Sequence, residues 1–295
     1  MNKQTALDKI NEIIATIDGV VGVAASCLEK DLAIMINETA LYPTASTIKV
    51  PIIYELYRQA ELGLVDLSQR IELKPEQRVT GSGVLQDLDF GLNLTVRDLA
   101  VLMIVVSDNS ATDMLIELVG LENTQNTMNE LGLAQTSVAT TIRQLMYYLT
   151  GYDISDPNIG YEQLYQRLMT TRSDPNGPAT AESNNNVSSP ADMVKLLADI
   201  FRAENLSRKS CDDIINIMLR QKYNEIIPLY LPMGVRVAHK TGSIGTVRAD
   251  VGIVYASQQP YTIALMTKKL TDETDASRKL ARISEVIYNF FTLEE

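Results

Sequence analysis

A chain of 295 residues with 45% apolar content has room for one large domain or two ordinary ones and buries a sizeable core unaided, which excludes disorder and a disulfide-stapled miniprotein. With 26 Lys and Arg against 37 Asp and Glu, net −11, its general field repels phosphate backbones and anionic lipid, so no nucleic acid and no membrane is expected as a partner. The longest uninterrupted apolar run, residues 99–106, falls far short of the ~18 residues a span needs, and the N-terminal apolar residues are too spaced for a signal core, so the expectation is a cytoplasmic protein, or a secreted one whose signal was removed.

Leu7, Ile10, Ile14 and Ile17 lie at helical spacing and predict a first helix that Gly19 can terminate. Residues 20–27 and 32–36 are β-rich runs joined by a polar turn, which predicts a hairpin. Ile48, Ile52, Leu56 and Ala60 mark a helix ending near Gly63, with Pro51 close to its start. From there to about residue 222 the signals are mainly helical. Thr95 with Asp98, and Ser110 with Asp113, make two capping-box-like starts. Ser107, Asp108 and Asn109 fall in the break between those helices, as caps or as a site. Residues 151–189 read as a long loop region around one short helix. Strands follow at 235–240, 248–256 and 261–267, and a closing helix carries Leu280, Ile283, Ile287 and Phe290 on one face. The order is that of an α+β protein in which residues 1–44 and 223–295 build one sheet domain and 45–222 form an inserted helical domain, with the active site between them.

Cys27 and Cys211 are far apart, have no CxxC partner and read as buried free thiols. The single histidine, His239, rules out His-rich metal sites and multi-histidine mechanisms, and neither a calcium loop nor a Gly-rich phosphate loop is present. No metal or cofactor is expected. A serine nucleophile in such a chain needs another base, and Ser46-Thr47-Ile48-Lys49 offers one, because lysine at i+3 on a helix lies on the serine's face and the helix N-terminus helps depress its pKa. Alone this pair is weak evidence. Ser107-Asp108-Asn109 and Lys240-Thr241-Gly242 are rarer triplets, and all three in this order arise by chance in roughly one sequence in a few thousand.

The trio is the signature of class A β-lactamases and penicillin-binding proteins, and nearly the whole chain resembles that family of penicillin-recognising serine hydrolases. Residues 81–86 (GSGVLQ), 106–113 (VSDNSATD) and 237–242 (VAHKTG) carry the likeness to its β-lactamase-like branch. The fold this implies is a five-stranded antiparallel sheet flanked by N- and C-terminal helices, plus an all-helical insert. By resemblance Ser46 is the acylated nucleophile, Lys49 the amine that takes or relays its proton, and Ser107 the hydroxyl passing a proton to the leaving nitrogen. Asn109 would hold the acyl side chain. Lys240 supports the proton path and attracts a substrate carboxylate, which Thr241, Gly242, Ser243 and Arg248 help to bind, while the backbone N–H groups of Ser46 and Ser243 hold the oxyanion. Each residue also has a plainer reading: Ser46, Ser107 and Asn109 as caps, Lys240 as a solvated strand residue, Arg248 in a surface ion pair. His239, next to Lys240 on a strand, points to the opposite face and reads as structural.

The resemblance breaks after the SDN triplet. Class A β-lactamases carry a glutamate there that activates the water clearing the acyl-enzyme, whereas Ile142 and its neighbours hold no acid. Asp174, in Arg172-Ser173-Asp174-Pro175, and Glu182 are the available substitutes, either as a deacylation base or as solvated loop carboxylates. The expected activity is hydrolysis of a β-lactam or related amide or ester through an acyl-enzyme, with slow deacylation, on a small molecule bearing a carboxylate. A D-alanyl carboxypeptidase or esterase, a glutaminase-like amidase, and a covalent β-lactam sensor without turnover are the rivals.

Overall fold

The Asn2 side chain accepts the Thr5 N–H and so caps α1 (Lys3–Ile14). The apolar stripe continues to Ile17, but the helix stops at Ile14 because Thr16 and Ile17 turn back onto the carbonyls of Ile13 and Ile14. The hairpin β1 (Val20–Cys27) and β2 (Ala33–Ile36) follows, then the two-residue β3 (Tyr42–Pro43). A 3-10 turn over Ala45–Ile48 runs directly into α2 (Lys49–Glu61). Short strands β4 (Arg70–Glu72) and β5 (Asn93–Thr95) pair ahead of α3 (Val96–Val105), α4 (Asn109–Val119) and α5 (Leu121–Glu130). Next come α6 (Ile142–Thr150), α7 (Tyr161–Thr170), β6 (Val187–Ser188), α8 (Pro190–Arg202) and α9 (Arg208–Met218). The chain closes with β7 (Arg236–Ile244), β8 (Val247–Tyr255), β9 (Tyr261–Lys268) and α10 (Glu273–Thr292). The computed structural model describes residues 1–170, 174–256 and 259–292.

The two ends of the chain interleave in one antiparallel sheet of order β2-β1-β9-β8-β7, in which β1 pairs with β9 from Val20↔Lys268 to Cys27↔Tyr261. Its central strands are apolar on both sides because both are covered. Val21, Val23, Ile263 and Leu265 face the core shared with α1 and α10, while Ala24, Val251, Ala264 and Met266 face the core of the helical region. The fold is therefore α+β, with helices on both faces of the sheet. No helix among the described residues is long and apolar enough to cross a membrane.

β7 is an edge strand and runs four residues past the expected end at Lys240, since Thr241 to Ile244 pair with β8 although they carry little apolar signal. Its helical-region face presses on the 3-10 turn. A Cβ at Gly242 would lie 2.7 Å from the Thr44 carbonyl oxygen and 3.1 Å from the Thr47 nitrogen, so only glycine permits that approach.

Candidate active site

Ser46 sits in the 3-10 turn after Ala45, a non-glycine residue held at φ 46°. Such left-handed backbone costs free energy and persists where the surroundings impose it. Ser46 is half-buried on a cavity of about 550 Å³. One turn on, Lys49 is fully buried, and its Nζ lies 2.7 Å from the Ser107 carbonyl oxygen, 3.0 Å from Asn109 Oδ1 and 3.1 Å from Ser107 Oγ. Burial first, and the Lys240 charge second, hold the Lys49 ammonium well below its ordinary pKa. A neutral amine there donates to the two carbonyl oxygens and keeps a lone pair.

Ser107 follows α3 in the left-handed region at φ 54°. Asp108 explains the break between helices. One of its oxygens accepts from the Ala111 N–H and caps α4, and the other accepts from the Val84 and Leu85 N–H groups, tying residues 81–86 to the triplet. The expected Ser110–Asp113 capping box is thus corrected: α4 starts earlier, because Asp108 is the cap. Ser110 receives the Val79 N–H, and the half-buried Asp113 carboxylate receives the Ile142 and Arg143 N–H groups at the start of α6. Asn109 donates to the Thr80 carbonyl and accepts from Lys49 and from Ser82 Oγ, so its amide is tied into the cavity wall.

From the sheet side, β7 brings Lys240, fully buried, with Nζ donating to the Thr241 carbonyl at 2.6 Å. Desolvation lowers its pKa to about 7 against the opposing pull of Asp250 and Glu225. Thr241 and Ser243 line the cavity together with Ser46, Ser107 and Asn109, so three segments distant in sequence meet at one site. Residues 5–291 match the family model described as Beta-lactamase enzyme family. The chain belongs to that family.

Its members are serine hydrolases. The chain is 24% identical to Beta-lactamase VEB-1 of Pseudomonas aeruginosa, over 96% of this chain and 89% of that protein. A 129-residue stretch is 30% identical to the Beta-lactamase regulatory protein BlaB of Streptomyces cacaoi, covering 42% of this chain and 41% of that one. Among solved structures, a β-lactamase from Sphaerobacter thermophilus superposes with a TM-score of 0.81 at 24% identity, covering 98% of this chain and 97% of the other. PBP-A, also solved in mutant form as an acyl-enzyme complex with penicillin G, gives 0.81 at 25% identity, covering 98% and 96%.

Within this β-lactamase-family site not every expected residue is in place. Gly242 does not line the cavity but lets β7 approach the Ser46 turn. Arg248 does line it, half-buried, donating to the Gly245 and Val247 carbonyls, and it feels the carboxylates of Glu273 and Glu225. Glu182 and Asp174, the candidate bases, are not among the residues that line the cavity. Glu182 is ion-paired with Lys268 at 2.6 Å, and Asp174 is exposed and caps its own turn through the Asn176 N–H. Arg172 and Ser173, beside Asp174, lie outside the described residues. His239 donates from Nδ1 to the Asp250 carboxylate, at 2.9 Å from Oδ1.

Sequence reasoning missed Ser82, Glu225, Glu273 and Asp113. Ser82 sits inside the GSGVLQ stretch and so had a signal, whereas Glu225 and Glu273 look like ordinary surface residues, and Asp113 like a helix cap, until tertiary contacts bring them in. The α6 side of the cavity carries Ile142, Leu145, Met146 and Leu149, all apolar.

Proposed function

We propose that Ser46 Oγ attacks the carbonyl of a β-lactam or a related amide or ester, forming an acyl-enzyme that deacylates slowly. Neutral Lys49 takes the Ser46 proton. Ser107 Oγ, supported by Lys240, delivers a proton to the leaving nitrogen or oxygen as its bond to the carbonyl carbon breaks. The backbone N–H groups of Ser46 and Ser243 hold the oxyanion, and Thr241, Ser243 and Arg248 hold a substrate carboxylate. Asn109 serves this chemistry by stationing Lys49. The chain divides into residues 1–44 with 223–295 and an insert of 45–222, and the substrate lies at the seam.

The observation that carries this reading is the convergence of Ser46, Ser107 and Thr241 on one cavity above a buried, pKa-depressed Lys49. Slow deacylation is supported by the α6 wall, which offers no acid to activate water, while the cavity's two carboxylates, Glu225 and Glu273, act on Arg248. Intact mass after exposure to a penicillin should rise by one acyl group, and Ser46→Ala should abolish the rise. An equal adduct on the variant would overturn the assignment. The same wall, and the likeness to a protein named as a regulator, favour a second reading in which the acylated protein is a covalent β-lactam sensor. Pre-steady-state kinetics separates them: a burst followed by a measurable steady rate marks an enzyme, a burst alone marks a sensor.

A further inference from the structure

We infer that the α6–α7 side of the cavity is a subsite for a bulky apolar acyl group, so that esters and amides of medium-chain or aryl-substituted carboxylic acids are preferred over short, polar ones. This rests on the reading of Ser46 as the acylated residue and specifies what it accepts. Ile142, Leu145, Met146 and Leu149 fall at i, i+3, i+4 and i+7 along α6, one continuous helical stripe, and Leu168 of α7 extends it. A stripe that served only the core would end where the core ends. Ile142, Leu145 and Met146 are 2%, 5% and 7% exposed, but Leu149 and Leu168 are half-buried and still line the cavity, so apolar surface continues past the packed interior into the space beside Ser46.

The wall is held in place from behind. The Asp113 carboxylate receives the first two N–H groups of α6, and Tyr147, on the reverse face, donates to the Ile159 carbonyl. Across the cavity the surface is different in kind, with Ser243, Arg248, Glu225 and Glu273. A ligand spanning from Ser46 therefore meets apolar surface on one side and charge on the other. Chemistry orients it: an acyl chain gains by leaving water along the leucines, and the leaving group stays with the polar residues. In the acylation step the Ser46 Oγ to acyl-carbon bond forms, the bond from that carbon to the alcohol oxygen breaks, and the Ser46 proton ends on the departing alcohol or phenol.

The test is a series of p-nitrophenyl esters from acetate through butyrate and hexanoate to octanoate, with kcat/KM measured for each. Burial of each added methylene predicts a rise of about fourfold per CH2 until the cavity is filled. Leu149→Asn, and separately Leu168→Asn on the neighbouring helix, should each lower the hexanoate-to-acetate ratio several-fold. A ratio near one in the unaltered protein overturns the subsite outright, with no dependence on how any variant folds. A steep series that neither substitution changes overturns its placement on this wall. Loss of the Ser46 reading looks different: Ser46→Ala would then hydrolyse the whole series at the unaltered rate.

Discussion

The floor of the cavity and its α6 wall are built from opposite materials. The floor is polar and hydrogen-bonded, with Lys49 bonded to Ser107 and Asn109, Ser82 bonded to both of those residues, and Lys240 held by the Thr241 carbonyl. The wall is apolar throughout, although the Asp113 carboxylate lies just behind it, turned away onto the backbone of α6. Buried polar networks of the first kind are costly unless every member is partnered, and are retained where they set a geometry or a pKa. On the proposed mechanism this contrast makes the two half-reactions separable: the groups assigned to forming the acyl-enzyme lie on the floor, and the wall carries no group to help water remove the acyl group.

The sharpest way to break that comparison is to damage the floor alone. Lys49→Ala removes the base and leaves Ser107 and Asn109 without their central donor. Acylation by a reactive β-lactam, followed by stopped-flow or time-resolved intact mass, should slow by roughly 10²–10⁴-fold, the span of a lost general base. The deacylation rate of whatever acyl-enzyme does form should change far less. If both steps slow equally, Lys49 serves both and the floor and wall are not separable.

How much of this contrast was legible beforehand depends on how the residues are joined. The helix carrying Lys49, the hairpin and the closing helix have strong periodicity, and the three short motifs are each contiguous, so both the α+β order and the candidate floor could be read from the chain. The wall could be read only in part. Ile142 showed that an acid is missing, but the stripe through Leu149 to Leu168 exists only once α6 and α7 pack together. Asp113 looked like a helix cap because its partners, the Ile142 and Arg143 N–H groups, lie about thirty residues away. Glu182 and Asp174 looked available because sequence gives no hint that one meets Lys268 on β9 and the other closes a surface turn. β7 outruns its local signal for the same reason, since the partner strand, not local propensity, makes Thr241 to Ile244 a strand.

A smaller effect comes from equipping the wall. Ile142 opens α6 and lines the cavity with Ser46, so Ile142→Glu places a carboxylate where an attacking water would pass. The first turn of a helix favours an anion, while the apolar neighbours and Asp113 raise the new carboxyl's pKa toward the range of a useful base. A base introduced without a prepared setting recovers only part of the usual gain, so the steady-state rate after the burst should rise about tenfold at unchanged burst amplitude. An unchanged steady rate in a folded, acylation-competent variant would mean that water reaches the acyl carbonyl from another side, and the wall would lose its role in slow turnover.

The smallest expected effect tests the charged side of the floor. Among the described residues no carboxylate is in hydrogen-bond contact with the buried Lys240, and desolvation lowers its pKa to about 7. Its sign follows directly: the ammonium is charged below that pH and neutral above it. If Lys240 attracts a substrate carboxylate, kcat/KM for an anionic substrate should fall as pH rises through about 7, because that ratio reports the free enzyme's titration. Thr241, Ser243 and Arg248 share the carboxylate, so the fall over the next unit should be about threefold, short of the tenfold limit for a single required proton. A neutral ester needs no such attraction and should lack this component. Raising the ionic strength should reduce the difference only slightly, since a buried charge is poorly screened. Matching pH profiles for the anionic and neutral substrates would remove Lys240 from carboxylate recognition and leave it only the proton path through Ser107.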